Sequence, residues 1–177
     1  MSYKVTVIIP TYNSVEFLDS TIASIMNQSI GFENIELIIV DDYSTDNTQE
    51  LINHYCEKYE NIKTFESDKK TGTPGRARNI GIANSTTEYI MFIDHDDNYL
   101  PESVEKLYNA VTENSCDVAI GKFQTFGEQK IVPEDWITHD VVLNSIDEDL
   151  RFFSINNIWR MIFPKEFLNE NDITFPE

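Results

Sequence analysis

Val5-Thr6-Val7-Ile8-Ile9 is a run of apolar, mostly β-branched residues, and it ends on the segment Pro10-Thr11-Tyr12-Asn13. Four more short apolar runs of this kind follow along the chain, at residues 35–40, 62–65, 89–93 and 118–120. Their starts lie 27 to 30 residues apart, which leaves room for one helix in each interval. Strands that alternate with helices are typical of a mostly parallel sheet with helices on both faces. We therefore predict an α/β fold.

The first two intervals carry signals for the start of a helix. Asn13 and Glu16 are spaced as a capping box, in which two side chains three residues apart bond to each other's backbone N–H groups. Asp46 and Gln49 have the same spacing. Apolar residues at helical spacing follow each pair, so we predict that a helix begins at each of them.

The later part of the chain has a less regular pattern. Two more helices are predicted over residues 76–83 and 101–114. The regular spacing then fades, and residues 122–150 are expected to form irregular or short antiparallel structure. A strand near residues 158–163 and a short helix near residues 165–171 are expected to follow. We therefore predict a short, mixed C-terminal segment after the parallel part of the sheet.

The composition favours a folded protein with an acidic surface. The chain has 177 residues, about the length of one domain, and 41% of them are hydrophobic. Thirty-one acidic against 13 basic residues give a net charge of −18, which repels phosphate backbones and anionic lipid headgroups. We therefore expect neither nucleic acid nor a bare membrane surface as the partner, and we treat residues 1–177 as a single domain.

The sequence also carries expectations about location. Cys56 and Cys116 are the two cysteines and form no paired motif, which suits a reducing compartment. The apolar runs are far shorter than the roughly 20 residues of a membrane-spanning helix, and the first residues lack the pattern of a signal peptide. We expect a cytoplasmic chain that reaches the inner face of a membrane only through other parts of a longer protein.

The acidic residues after the second and fourth runs are the first candidate site. Ligands of open α/β sheets bind at the carboxyl ends of the strands, where Asp41 and Asp42 follow one run and Asp94 and Asp96 another. If residues 94–96 stay extended, Asp94 and Asp96 point to the same side. Carboxylates favour Mg²⁺ or Mn²⁺, so the pattern indicates a metal that bridges to a diphosphate. An isolated Asp-x-Asp is also common where a strand simply ends or a helix is capped, and that interpretation stays open.

Tyr12 and the glycine-containing segment at residues 71–79 suggest contacts to a nucleotide. The ring of Tyr12 is suited to stacking on a base whose N–H groups Asp41 or Asp42 accept. A packed loop aromatic and a helix cap are the alternatives. Residues 71–79 run into a predicted helix and contain two arginines, a combination that suits phosphate. The glycine signatures of P-loop and dinucleotide-binding proteins and the Gly-x-Ser-x-Gly of hydrolases are missing from the sequence.

Four segments together resemble a known family. They are Val5-Thr6-Val7-Ile8-Ile9-Pro10-Thr11-Tyr12-Asn13, Ile38-Ile39-Val40-Asp41-Asp42-Tyr43-Ser44-Thr45-Asp46, Ala77-Arg78-Asn79-Ile80-Gly81 and Ile93-Asp94-His95-Asp96-Asp97. In order and spacing they resemble the family 2 glycosyltransferases of GT-A fold, from about residue 4 to the end. The resemblance implies a Rossmann-like GT-A fold. It also implies transfer of a sugar from a nucleoside diphosphate donor, usually UDP, with inversion at the anomeric carbon.

The resemblance implies roles for residues that would contact the base. Pro10 and Tyr12 would border the uracil, and Asp41 and Asp42 would hold the base and the ribose. Lys70 stands where family members often carry Asn, which is a departure from the family in this part of the donor site.

The resemblance also implies how the phosphates would be held. Arg78 would lie near the nucleotide, and Asp94 and Asp96 match the Asp-x-Asp motif. These two aspartates would bind Mn²⁺ or Mg²⁺, with Asp96 as the direct ligand.

The nature of the acceptor is suggested by three short segments. Residues 72–79, 158–161 and 175–177 look most like the bacterial branch that decorates wall teichoic acid or other surface polymers. A glycan or a polyol-phosphate polymer is therefore the expected acceptor.

The general base is expected outside the given sequence. Family members carry a Glu-Asp pair shortly after a segment like residues 175–177, and its Asp acts on the acceptor hydroxyl. We therefore expect the base beyond Glu177, with residues 1–121 as the nucleotide-binding half and residues 122–177 as the start of the acceptor-side half. Such a fragment is expected to bind UDP with metal and to transfer sugar weakly or not at all.

Two other functions are compatible with parts of this pattern. A haloacid-dehalogenase-type phosphatase also places Asp-x-Asp after an apolar strand. Such enzymes favour Thr or Val where this chain has Asn98, and they do not account for Tyr12 or Asp42. A non-catalytic nucleotide-binding module would share the site but would not turn over a nucleotide sugar.

Overall fold

One mixed sheet forms the centre of the protein. The computed structural model describes residues 2–67, 69–122, 141–145, 148 and 157–177. In this part of the chain the strands are β1 (Val5–Thr11), β2 (Ile35–Asp41), β3 (Ile62–Glu66), β4 (Tyr89–Phe92), β5 (Ala119–Ile120) and β6 (Met161–Pro164). Their order is β3-β2-β1-β4-β6-β5, and β6 is antiparallel to both of its neighbours while β1 to β4 are parallel. The predicted α/β fold with a mixed C-terminal segment is therefore confirmed.

Helices cover both faces of the sheet. They are α1 (Leu18–Met26), α2 (Thr48–Lys58), α3 (Pro74–Asn84), α4 (Ser103–Asn114) and α5 (Lys165–Glu170). The central strand β1 is buried along its whole length, and its alternate residues enter two separate cores. Ile9 belongs to the core with α1, α2 and α4, whereas Ile8 belongs to the core with α3 and α5. This two-sided burial explains why β1 and β2 are almost continuously apolar.

The register of the sheet brings the candidate residues to one edge. Thr11 at the end of β1 lies beside Asp41 at the end of β2, and Ile8 lies beside Phe92 at the end of β4. Because these three strands run in the same direction, the residues that follow them emerge at the same edge. Asp42 and Asp94 are therefore on the same side of the molecule.

A buried carboxylate bonds to neighbouring strands near their amino ends, at the edge of the sheet opposite to the candidate residues. Glu36 in β2 has no exposed surface. Its Oε2 accepts hydrogen bonds from Thr6 Oγ1 at 2.6 Å and from the Thr86 backbone N–H at 2.8 Å. Its Oε1 accepts from Thr86 Oγ1 at 2.9 Å and forms an ion pair with Lys63 Nζ at 2.5 Å. This one carboxylate therefore links β1, β2, β3 and the segment that leads into β4.

The capping box predicted at Asn13 and Glu16 is wrong. The helix α1 begins at Leu18, after a turn in which the Leu18 N–H donates to the carbonyl oxygen of Ser14 at 2.9 Å. Asn13 adopts a left-handed φ of 48°, and its Oδ1 accepts the N–H of Thr45 at 2.8 Å. The side chain thus ties two loops together instead of capping the next helix.

The second predicted box is half right. Asp46 Oδ1 accepts the Thr48 N–H at 3.0 Å, so Asp46 does satisfy a backbone donor in the first turn of α2. Gln49 does not bond back to that end, because its Nε2 donates to Asn53 Oδ1 at 3.1 Å.

The other boundaries lie close to the predictions. The helix α3 begins two residues before residue 76 and α4 two residues after residue 101. The strand predicted near residues 158–163 is a single 3-10 turn (Ile158–Arg160) followed by β6, because Arg160 donates its backbone N–H to Asn157 at 3.4 Å. The prediction for residues 122–150 lies largely outside the described residues. None of the helices in the described part of the chain combines the length and apolar character that crossing a membrane requires.

Candidate functional site

Asp41 orders the loop that follows β2. This carboxylate is 4% exposed and accepts three hydrogen bonds. The donors are the Ser44 N–H at 3.0 Å, Ser44 Oγ at 2.5 Å and Thr11 Oγ1 at 3.3 Å. The loop turns sharply at Tyr43, whose φ is 68°. The carboxylate of Asp41 therefore holds this loop in shape through Ser44 and Thr11.

Asp42 faces the loop that leads into α3. Its side chain is buried and accepts the Thr71 N–H at 3.1 Å, Thr71 Oγ1 at 3.2 Å and the Gly72 N–H at 3.2 Å. Gly72 has a φ of 74°, a conformation that favours glycine. A nucleotide base that bonds to Asp42 would compete with these backbone donors.

Tyr12 is contacted by a lysine from the same loop. Lys70 Nζ lies 4.0 Å from the centroid of the Tyr12 ring and donates to its hydroxyl at 2.5 Å. An ammonium over an aromatic ring is held by the negative face of the ring. The positive charge of Lys70 thus lies near the ring that is predicted to stack on a base, and the sequence did not predict this contact. Pro10 is buried within β1 and lies beside Val40 of β2.

Arg78 and Asp94 form an ion pair between α3 and the end of β4. Arg78 Nη2 lies 2.7 Å from Asp94 Oδ1, and the two side chains are 13% and 35% exposed. Arg78 lies in the second turn of α3, whose N-terminal end follows the residues that bond to Asp42. The loop and first turns of α3 therefore contact both acidic strand ends.

Asp94 and Asp96 do not lie on an extended segment, which corrects that expectation. The Asp97 N–H donates to the Asp94 carbonyl oxygen at 3.0 Å, so residues 94–97 form a turn with Asp96 exposed near its tip. Thr21 Oγ1 in α1 fixes the turn by bonding to the carbonyl oxygens of His95 at 2.7 Å and Asp97 at 2.9 Å. Burial, together with the negative charges of Asp96 and Asp94, raises the pKa of Asp97. The turn therefore concentrates negative charge that a cation would relieve.

The acidic turn has the donor set of a magnesium or manganese site that is completed by substrate. Among the described residues, no group of three or more His, Cys, Asp or Glu side chains is arranged to hold an ion. Asp94 and Asp96 supply at most two carboxylates, and Mg²⁺ commonly binds one or two carboxylates together with substrate phosphates. The side chains present fit such an ion only in combination with a phosphate ligand.

The sequence did not predict that residues 175–177 contact the helix that carries Arg78. Residues 175–177 pack against α3, where Asn79 bonds to the backbone of Phe175 and Arg76 Nη1 pairs with Glu177 Oε2 at 2.6 Å. Phe175 also lies 5.4 Å from Arg78, measured from the ring centroid to Cζ. Asn79 and Phe175 are 96 positions apart, and no local pattern signals their contact.

The fold and this edge define a class of protein. In this mixed sheet the parallel strands β1, β2 and β4 end beside Tyr12, Asp41 and Asp94, and α3 brings Arg78 to Asp94. This is an α/β ligand-binding architecture of the GT-A type. The family model described as "Glycosyl transferase family 2" matches residues 6–165. The chain therefore belongs to glycosyltransferase family 2, as its sequence motifs predicted.

Two curated relatives are named as poly(ribitol-phosphate) glycosyltransferases. The chain is 32% identical over 173 residues to the poly(ribitol-phosphate) beta-glucosyltransferase of Bacillus spizizenii, which covers 98% of this chain and 27% of that protein. It is 36% identical over 173 residues to the poly(ribitol-phosphate) beta-N-acetylglucosaminyltransferase TarP of Staphylococcus aureus, which covers 97% of this chain and 52% of TarP. The chain thus spans about a quarter to a half of the length of these relatives.

A solved structure of a relative has the same fold. The crystal structure of S. aureus TarS residues 1–349 in complex with UDP-GlcNAc matches with a TM-score of 0.84 at 29% sequence identity. The match covers 98% of this chain and 48% of that chain. The predicted GT-A fold is therefore confirmed by an independent structure.

Proposed function

We propose that this chain is the donor-binding part of a metal-dependent, inverting glycosyltransferase that uses a UDP-sugar. The observation that carries the proposal is the meeting of Asp42, Arg78 and the turn at residues 94–97 at one edge of the sheet, all reached by α3 and its preceding loop. The relative TarS has been crystallised with UDP and with UDP-GlcNAc, which supports a uridine nucleotide as the ligand here.

In this proposal the base and the ribose lie against the ends of β1 and β2. Tyr12 offers a ring face, Pro10 borders the uracil, and Asp42 accepts N–H or O–H groups once the backbone of Thr71 and Gly72 releases it. Asp41 supports this arrangement by keeping the loop in shape. This division of roles follows from where the partners lie, because Ser44 bonds to Asp41 within one loop, whereas Thr71 and Gly72 bond to Asp42 from the loop before α3.

The diphosphate lies between Arg78 and the turn at residues 94–97. A guanidinium binds phosphate oxygens with directed hydrogen bonds. Asp96, and Asp94 beside it, would hold Mn²⁺ or Mg²⁺ together with the phosphates, and such an ion would supply positive charge for the leaving UDP. Asp94 already pairs with Arg78, so it would hold the ion while keeping that arginine as a neighbour.

Sugar transfer also requires a general base on the acceptor hydroxyl. We place this base beyond Glu177, so that residues 1–121 bind the nucleotide and residues 122–177 begin the acceptor side. A chain of residues 1–177 is accordingly expected to bind UDP and to transfer sugar weakly or not at all. A complete protein would act in the cytoplasm, at the inner face of the membrane through its other parts.

The proposed acceptor is a polyol-phosphate polymer of the bacterial surface. The names of the relatives support this, since each acts on a poly(ribitol-phosphate). They differ in the sugar, glucose in one case and N-acetylglucosamine in the other. We therefore assign a UDP-sugar as the donor class.

A thermal-shift panel tests the donor assignment. The chain is heated with UDP, GDP, CDP or TDP, each with and without Mn²⁺. A ligand at about 100 times its Kd stabilises by about 2.7 kcal/mol, which for a chain of this size is a shift of roughly 5–10 °C. UDP with Mn²⁺ is expected to give such a shift, and equal shifts with all four nucleotides would contradict a uracil site.

A matched pair of aspartate variants tests the metal. Asp96→Ala should remove the extra stabilisation that Mn²⁺ gives in the presence of UDP. Asp117→Ala is the control, because Asp117 is also exposed but lies before β5, at the opposite edge of the sheet. An undiminished Mn²⁺ effect in Asp96→Ala would refute the proposed ligand.

Two activity assays distinguish the proposed function from its rivals. A haloacid-dehalogenase-type phosphatase would release phosphate from p-nitrophenyl phosphate, and we expect no release above the Asp94→Asn variant. A non-catalytic module would bind UDP equally well but would still fail to transfer sugar from UDP-GlcNAc or UDP-glucose in a longer version of the protein that contains the expected base.

A further inference from the structure

We propose that Asn79 is a positioning residue. Its side chain bonds to the backbone of Phe175 and holds residues 175–177 against α3, a contact that we call the clip. The Phe175 ring then keeps the Arg78 guanidinium on Asp94. The inference rests on the proposed function, because it assigns to this clip an effect on UDP binding. It concerns a contact between two segments that the sequence motifs name separately, and the contacts that carry it are of three independent kinds.

The first contact is a pair of hydrogen bonds between the side chain of Asn79 and the backbone of Phe175. Asn79 Nδ2 donates to the Phe175 carbonyl oxygen at 2.9 Å, and Asn79 Oδ1 accepts the Phe175 N–H at 2.9 Å. A carboxamide has a donor and an acceptor side by side, as a paired strand does. Neither a carboxylate nor an apolar side chain of the same size can satisfy both backbone groups. Asn79 thus fixes the position and the orientation of Phe175.

The second contact is the ring that this clip holds in place. The Phe175 ring lies 5.2 Å from the ring of Phe92, at an interplanar angle of 72°. Phe92 is fully buried at the end of β4, two residues before Asp94. The Phe175 ring also lies 5.4 Å from the Cζ of Arg78. The ring therefore contacts both the strand that carries Asp94 and the guanidinium that pairs with it.

The third contact is a close backbone approach one residue later. A Cβ at Gly75 would lie 1.8 Å from the Pro176 carbonyl oxygen, so any larger residue would push residues 175–177 away from α3. Gly75 lies inside the first turn of α3, and its φ is not in the left-handed region. The absence of a side chain there is thus accounted for by the packing of residues 175–177 and not by the conformation of the helix.

The consequence concerns the orientation of Arg78. A guanidinium on a flexible stem loses rotamer entropy when it binds phosphate. Packing against an aromatic ring restricts the side chain before the ligand arrives. Without the clip, the Phe175 ring no longer packs against Arg78. The affinity for the diphosphate then falls, although no ligand contact has been removed.

The test uses Asn79→Ala in the whole chain. Two quantities are measured: the exchange rate of the Phe175 amide hydrogen by NMR and the Kd of UDP with Mn²⁺ by calorimetry. We expect the amide to exchange at least about tenfold faster and the Kd to rise about tenfold, the size of effect that the loss of one hydrogen-bonded support produces. Gly75→Ala should change both quantities in the same direction by a different physical route.

Asn84→Ala is the matched control. Asn84 ends the same helix, is exposed, and donates only to the Ile80 carbonyl oxygen at 2.9 Å in the described structure. We expect neither the Phe175 amide nor the Kd to change. An equal loss of affinity in Asn84→Ala would overturn the proposal, since it would trace the effect to a general weakening of α3.

A double-mutant comparison separates positioning from a purely structural role. If Asn79 acts through Arg78, then Asn79→Ala introduced into an Arg78→Ala chain should change the Kd by less than about twofold. Additive losses would overturn the proposal, and so would an unprotected Phe175 amide in the unaltered chain. If the unaltered chain does not bind UDP, the proposed function fails and the clip loses its role with it. If the unaltered chain binds but Asn79→Ala binds equally well, only the clip is refuted.

Discussion

Replacing Glu36 by glutamine isolates the buried carboxylate that links the strands. Its two oxygens accept from four donors, of which the Thr86 N–H and the Lys63 ammonium cannot turn round to accept. In Glu36→Gln the side-chain amide places its NH₂ group against one of these fixed donors, whichever way the amide is oriented. A buried donor without an acceptor costs about 1–3 kcal/mol, and loss of the ion pair adds to it. We expect Glu36→Gln to lower the free energy of unfolding by about 2–4 kcal/mol.

The pH dependence gives this prediction a second, independent readout. Burial by itself would raise the pKa of Glu36, but the hydrogen bonds from Lys63, Thr6 and Thr86 outweigh it and hold the pKa below the ordinary value of 4.5. The contribution of the carboxylate is therefore fully present above about pH 4.5 and is lost as the pH falls through its lowered folded value. The stability gap between the two chains should be constant from about pH 8 to 5 and should narrow below about 4.5.

Urea unfolding across this pH range measures both effects. For a chain of this size the midpoint of thermal unfolding should also fall by roughly 5–15 °C at about pH 7. Glu66→Gln is the control, because it makes the same change at an exposed position on the neighbouring strand β3. A loss below about 1 kcal/mol, or a gap that widens in acid, would refute the view that Glu36 is an ionised link between the strands.

Substitutions at two further positions test the base site and the packing of α3. Tyr12→Ala should weaken UDP binding about tenfold, because stacking on a base is worth about 1–3 kcal/mol, whereas Tyr12→Phe should keep the affinity since the hydroxyl bonds to Lys70. Calorimetry distinguishes them, and equal losses would argue against stacking. Gly81→Ala should cost about 1–3 kcal/mol in urea unfolding, because its Cβ would lie 2.4 Å from Cγ2 of the fully buried Ile8. A gain in stability from the better helix former would show that Ile8 can move aside.

The strands and the order of the elements were predictable because their signal is local. Runs of β-branched residues at residues 5–9 and 35–40 are buried on both faces, so nearly every position in them is apolar and the pattern identifies a central strand without knowledge of its neighbours. The run at residues 35–40 and the run before Asp94 deliver acidic residues to the carboxyl ends of parallel strands. The family motifs and the candidate edge of the sheet therefore followed from the sequence.

Loop contacts were not predictable for a physical reason. Asn13 has the right spacing for a capping box with Glu16, yet its amide bonds to Thr45, which lies beyond the next strand. A polar side chain satisfies whichever partner the folded chain brings within about 3 Å, and that partner need not be near in sequence. The turn at residues 94–97 is a similar case, since Thr21 of α1 holds two of its carbonyl oxygens.

The sequence by itself determined the α/β class, the order of strands and helices, and the acidic strand ends that identify the family. Only the tertiary structure decided which partners those side chains take: Thr71 for Asp42, Arg78 for Asp94 and Phe175 for Asn79. Periodicity is a property of neighbouring residues and can be read along the chain. A contact across 96 positions depends on how helices and loops pack on the finished sheet, so it exists only once the chain has folded.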